Sequence, residues 1–143
     1  MCGDSRSHNE ASRGDGHMCL EKKNIFIPNH LKEGIGYKFY TTHQYGEGLF
    51  APAMNDGPYK IGDEIVDDRN GTIESDQKCL WWWKKYRTGF HFFENMGDCI
   101  TIADTCQVIV KLQYSDVVAV GQQWGKVVIV AKHIKLLEIV RLP

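Results

Sequence analysis

The chain has 143 residues, with 17 Lys and Arg against 18 Asp and Glu. This length suits one domain with a sizeable core, and the balanced charge argues against a global field for nucleic acid or an anionic membrane. No apolar run reaches the length of a membrane span, the longest (around Val127 to Ala131) being strand-sized, and the first residues lack a signal peptide's apolar core, so a soluble, cytoplasmic protein is expected.

Residues 1–17 hold almost nothing apolar beyond Met1, Cys2 and Ala11, which predicts a disordered N-terminal tail ahead of a single α+β domain over residues 18–143. The tripeptide Arg13-Gly14-Asp15 in that tail is read as a chance match. The cysteines are Cys2, Cys19, Cys79, Cys99 and Cys106, an odd number without a Cys-x-x-Cys pair. Neither a disulfide framework nor a zinc ribbon is signalled, and reduced thiols are expected.

From Asn24 the pattern becomes strand-like. Asn24 to Pro28 reads as a short extended arm, and Gly36 to Thr42 as a strand with Tyr37, Phe39 and Thr41 on one face and Lys38, Tyr40 and Thr42 on the other. Leu49 to Ala51 is a further short strand, and Asn55 to Pro58 a loop. Tyr59 to Val66 alternates again, and Asp67 to Gly71 followed by Thr72 and Ile73 predicts a hairpin, because Asn-Gly supplies the positive φ angles of a tight turn.

Lys78 to Arg87 carries Trp81, Trp82 and Trp83 followed by Lys84, Lys85 and Arg87. Alternation sends Trp82 to the side opposite Trp81 and Trp83. The segment is either a core strand packing its indoles, the favoured reading, or a stacking surface for nucleic acid or a nucleotide. Gly89 to Phe93 is a strand with Phe90 and Phe92 opposite His91 and Phe93. Asn95 or Asp98 then caps a short helix to about Thr105, with Met96, Cys99, Ile100 and Ala103 on one face. Strands are expected over Gln107 to Leu112, Tyr114 to Val120, Lys126 to Val130 and Ile134 to Leu142, with a turn at Gly121 to Gly125. The fold class is α+β, mainly antiparallel sheet with one short helix packed on it.

Tyr59-Lys-Ile-Gly62, then Gly89-Phe90-His91 through Asp98-Cys99, then the ending Val128 to Glu138, resembles a group of small uncharacterised phage and bacterial domains marked by a Gly-Phe-His…Asp-Cys strand-to-helix junction. The resemblance runs over roughly Tyr37 to Val140, and the junction is its specific part. The Trp81 to Trp83 run and the long Asp67 to Gln77 loop depart from the pattern. The resemblance implies a fold and carries no assigned activity.

His91 is the foremost candidate for a working residue, placed between a glycine-marked strand start and a helix N-terminus whose N–H groups could meet an anion. The alternative is a histidine that packs on the sheet and hydrogen-bonds a neighbouring loop. The expected ligand-binding set is His91, Tyr40, Trp82, Phe90 and Asn95. With Tyr37 and Phe39, these aromatics would line a cavity for a planar, nucleotide-like or anionic small molecule. The favoured reading is a non-enzymatic binding or interaction module, with a homo-oligomer as a further possibility and no metal or cofactor. The competing reading is an ADP-ribosyl-transferase-like enzyme acting on NAD, with Tyr40 and His91 as the clamp and Glu138 or Glu94 as the carboxylate. Cys99 is expected to be buried and inert rather than nucleophilic.

Overall fold

The structure, a computed structural model, describes residues 20–42, 48–51, 56–74, 85–103 and 107–141. In chain order the strands are β1 (Lys22–Lys23), β2 (Gly34–Thr42), β3 (Leu49–Ala51), β4 (Asp56–Tyr59), β5 (Glu64–Val66), β6 (Thr72–Glu74), β7 (Lys85–Arg87) and β8 (Phe90–Phe93). The helix α1 (Met96–Ile102) follows, then the long strands β9 (Gln107–Gln123) and β10 (Lys126–Arg141). The described residues form mostly antiparallel sheet with one short α-helix. None of their helices is long and apolar enough to cross a membrane.

The hairpin β9–β10 is the frame. Its two-residue turn, Trp124 and Gly125, has φ of 54° and 74°, the two positive angles that match the twist of the flanking strands. The Glu21 carboxylate accepts the Trp124 N–H at 3.0 Å and ties the segment before β1 to that turn. The sequence pattern suggests four separate strands over this region, but the structure joins them into two. Gln113, Lys132 and His133 read as interruptions, yet here they are positions within continuous strands. Register shifts between Val130 and Ala131, Leu136 and Glu138, and Ile139 and Arg141 absorb the irregularity.

The strand pairing closes on itself. β2 pairs with β9 from Gly34↔Tyr114 to Thr41↔Gln107, β9 pairs with β10, and β10 pairs with β8 from Val128↔Phe93 to Ala131↔Phe90. β8 returns to β2 through the single pair Tyr37↔Phe93. Side chains of all four strands meet in one inner cluster that includes Tyr40, Phe92, Val110, Leu112, Ile129 and Leu136. Along β10 the inward positions change from Ile129 and Ala131 to Ile134 and Leu136, a change of parity within the strand. Gly36 permits the close approach of β2 to β8, since a Cβ there would lie 2.6 Å from the Phe92 ring.

A second, outer cluster lies on the other face. Phe93, Ile109, Ala119, Val128 and Val130 are covered there by Cys99, Ile100 and Ile102 of α1, by Ile73 and Tyr86 of the two-stranded β6–β7 sheet, and by Leu20. Burial on both faces removes the apolar surface of the middle of the hairpin from water, the main source of stability for such a sheet.

Several local expectations are corrected. No hairpin forms across Asp67 to Gly71: β5 pairs with β10 (His133↔Val66 to Lys135↔Glu64), and β6 pairs with β7. The alternating run Tyr59 to Val66 is divided by a turn in which the Asp63 carboxylate accepts the Lys60 N–H at 3.0 Å. The extended arm lies at Lys22–Lys23 rather than Asn24 to Pro28, and α1 ends at Ile102 rather than near Thr105, because Ala103 takes extended angles. The expected tail, residues 1–17, and the tryptophans Trp81, Trp82 and Trp83 lie outside the described residues.

Candidate functional site

The central stretch is built by the alternation of β8. Phe90 and Phe92 turn to the inner cluster, and His91 and Phe93 turn outward. His91 is buried at 6% exposure. Its Nδ1 lies 3.1 Å from the Gly89 carbonyl oxygen and its Nε2 lies 2.9 Å from the Tyr86 hydroxyl. A carbonyl can only accept, so Nδ1 carries the proton of the neutral ring, and Nε2 accepts the Tyr86 O–H. The Tyr86 oxygen in turn accepts the Leu20 N–H at 3.0 Å. The chain Leu20–Tyr86–His91–Gly89 thus satisfies each of these polar atoms inside the fold, as buried polar groups require.

The remaining candidates are divided between layers. Tyr40 is buried in the inner cluster at 1% exposure, and Phe90, half-buried, packs against the same cluster. Tyr37 and Phe39 lie with Phe93 on the outer side. The structure therefore brings Tyr40 and Phe90 together and places His91 on the opposite face of the strand layer. Lys38 bridges from β2 to β8 by donating to the His91 carbonyl oxygen at 2.8 Å, beyond the one pair that joins the two strands.

Asn95 is the N-cap of α1, its side-chain oxygen accepting the Gly97 N–H at 2.9 Å. Trp82 lies outside the described residues. Glu94 follows β8 directly, and Glu138 is an exposed residue of β10 paired with Lys111 at 3.8 Å. Cys99 is fully buried, and burial pushes its thiol up to about 12, against the pull of the Lys38 and Arg141 charges. Among the described residues, no three of His, Cys, Asp and Glu gather as a metal site would require.

A second constellation is absent from the sequence reading. After Val66 the chain turns so that Asp67 is buried beside Lys132 of β10, whose carbonyl accepts the Asp67 N–H at 2.8 Å. Arg69 clasps the Asp67 carboxylate through Nε at 2.9 Å and through its terminal nitrogen. The Lys132 ammonium, 5% exposed, donates to the Arg69 carbonyl at 2.7 Å and to the Thr88 hydroxyl at 3.2 Å, and lies 3.9 Å from the carboxylate. Arg69 precedes β6 and Thr88 follows β7, so one buried charge gathers both ends of the β6–β7 unit. The hydrogen bond from Arg69 is the largest influence holding the Asp67 carboxyl below its ordinary range; burial opposes it, while the nearby positive charges assist. The sequence signal for this cluster is a lysine inside the apolar run Val127 to Ile134 together with Asp-x-Arg at 67 and 69.

Chemically, the central stretch is a satisfied hydrogen-bond chain, and the Asp67–Arg69–Lys132–Thr88 cluster is an ion-paired clamp. Comparison with protein families, with curated proteins and with solved structures returned no match.

Proposed function

We propose that the chain works as a binding or interaction module rather than as an enzyme acting on NAD at its central stretch. The carrying observation is the contrast between interior and surface. The hydrogen-bonding groups of His91, Tyr86 and Lys132 are engaged within the fold, whereas two adjacent apolar side chains, Ile25 at 61% and Phe26 at 80%, stand in solvent just beyond β1. Adjacent exposed apolar groups of this size mark contact surfaces more often than isolated ones. Among the described residues β1 ends the strand order of the sheet, so the apolar pair lies at the rim of the fold. The reading favours self-association through the Ile25–Phe26 segment and keeps a nucleotide-like or anionic small molecule as the ligand class for the module.

Light scattering after size exclusion, over a range of concentrations, tests the first part. The wild type is expected to exceed monomer mass and the Ile25→Ser/Phe26→Ser double variant to run as a monomer. Wild type and variant both monomeric at every concentration would overturn self-association. A thermal-shift screen with nucleotides, cyclic nucleotides, NAD and phosphate, run beside Phe90→Ala, tests the ligand class, because a ligand of the native state raises the midpoint by mass action. No shift with any compound removes the small-molecule form of the reading.

A further inference from the structure

A hydroxyl, an imidazole and a carboxylate from three neighbouring strands stand in line on the uncovered outer face of the sheet. Ser115 of β9 and His133 of β10 are cross-strand partners, with Ser115 Oγ 3.0 Å from His133 Nδ1. On the other side of the ring, His133 Nε2 lies 3.9 Å from the Glu64 carboxylate of β5. Glu64 sits opposite Lys135, one step along β10 from the histidine on the same face. The side chains of His133 and Glu64 are 38% and 54% exposed, and Ser115 is half-buried.

The tautomer follows from the neighbours. A carboxylate facing Nε2 favours the proton on that nitrogen, which leaves the Nδ1 lone pair to accept the Ser115 O–H. This is the order of groups that activates a serine, with the imidazole used in reverse of the commoner arrangement, in which Nε2 faces the hydroxyl. The backbone beside it is unusual. Asp116 holds φ of 58°, a left-handed value that a non-glycine residue adopts at a cost, and the β9–β10 register shifts a few residues away between Val130 and Ala131. Such strain and such irregularities concentrate at working sites and re-aim the adjacent side chain. Val66, directly opposite His133 and 62% exposed, supplies an apolar neighbour for an acyl group.

We propose that Ser115 is a nucleophile toward activated esters, with His133 as its general base and Glu64 as the positioning residue. Ser115 Oγ bonds to the ester carbonyl carbon as its proton passes to His133 Nδ1. The ester C–O bond breaks, the leaving oxygen departs with the electron pair, and it takes up the proton from the imidazolium. Water then attacks the acyl-serine, giving its proton to Nδ1, and the serine oxygen leaves and recovers it, so the net change is ester plus water to acid plus alcohol. Glu64 steadies the transient positive charge on the ring. The substrate class is esters with a stable leaving group, such as an aryl ester, whose cleavage asks least of an oxyanion donor.

The probe is p-nitrophenyl acetate with the intact chain, following p-nitrophenolate release and mapping the acetyl group by peptide mass spectrometry. The expected result is acetylation at Ser115, absent in Ser115→Ala and slowed by roughly 100-fold in His133→Gln. The glutamine keeps a cross-strand hydrogen bond to Ser115 and hence the fold, which circular dichroism checks. Glu64→Gln is expected to slow acetylation less than His133→Gln, and Glu64→Asp to recover part of the loss, which a purely structural glutamate would not do. Acetyl groups on lysines with Ser115 unmodified, or an unchanged rate in folded His133→Gln, would overturn the proposal.

Discussion

Two stretches of the β9–β10 hairpin share the same backbone pairing and differ in what lies on their outer face. Toward the turn, Ala119, Val128 and Val130 are buried beside Phe93 and under Tyr86 and Leu20. Farther along, Gln113, Ser115, His133 and Lys135 look outward with Glu64 and Val66 beside them, and none of the six is buried. The covered stretch is apolar on both faces and reads as the unbroken run Val127 to Ala131. The open stretch alternates, His133 and Lys135 outward against Ile134 and Leu136 inward. The lesson is that one strand changes its sequence grammar where its cover ends. The covered stretch buries apolar groups on both faces, and the open stretch presents polar groups to solvent on its outer face.

The sharpest way to break this comparison is in the shared inner cluster. Phe92→Ala removes a fully buried ring at the place where β8 meets both β2 and β10, and is expected to cost about 3–5 kcal/mol in urea unfolding. Lys132→Met, which leaves the Asp67 carboxylate buried with Arg69 alone, is expected to cost about 3 kcal/mol. Its effect should be local as well: amide hydrogen exchange at Ile73 and Tyr86 of the β6–β7 unit should quicken more than at Val110 of the inner core.

The Asp67 cluster also sets a pH dependence. Its folded carboxyl lies below the ordinary 3.8, so its stabilisation is fully present above that value and is lost as the pH falls through the lower, folded value. The stability difference between wild type and Asp67→Asn is therefore expected to be constant near neutral pH and to shrink below 3.8. A difference that persists undiminished into strong acid would show that the carboxylate charge is not what holds the β6–β7 unit.

Tyr86→Phe comes next in size. It strands the Leu20 N–H and His91 Nε2 together, and a loss of about 2 kcal/mol is expected, visible as a lower urea midpoint with unchanged slope. At the small end, Ser115→Ala on the open stretch should change stability by less than about 0.5 kcal/mol. A large loss there would erase the distinction between the two stretches.

Much of the candidate site was legible residue by residue and not as an assembly. The alternation of Phe90, His91, Phe92 and Phe93 follows from strand geometry, and Asn95 as the cap of α1 follows from its side-chain oxygen ahead of a helical segment. That Tyr40 shares the layer of Phe90 could not be read, because it depends on which faces of β2 and β8 meet. The partner of His91, Tyr86, lies only five residues away, yet it is presented from a separate two-stranded sheet. The clamp was hidden for a similar reason: Lys132 is 63 residues from Arg69 and 44 from Thr88.

The sequence alone determined the local grammar of this protein: antiparallel strands from β-branched and aromatic alternation, one capped short helix, a turn within Gly121 to Gly125 that the structure narrows to Trp124 and Gly125, and an inward-facing Cys99. These follow from interactions among residues a few positions apart, where sterics and side-chain periodicity act directly. Only the tertiary structure decided that β2, β9, β10 and β8 close into a ring, that β5 joins β10 instead of turning back onto β6, and that Lys132 pins the β6–β7 unit. Those outcomes rest on pairings between distant segments, chosen by which apolar faces can be buried together and which charges can be neutralised once they are.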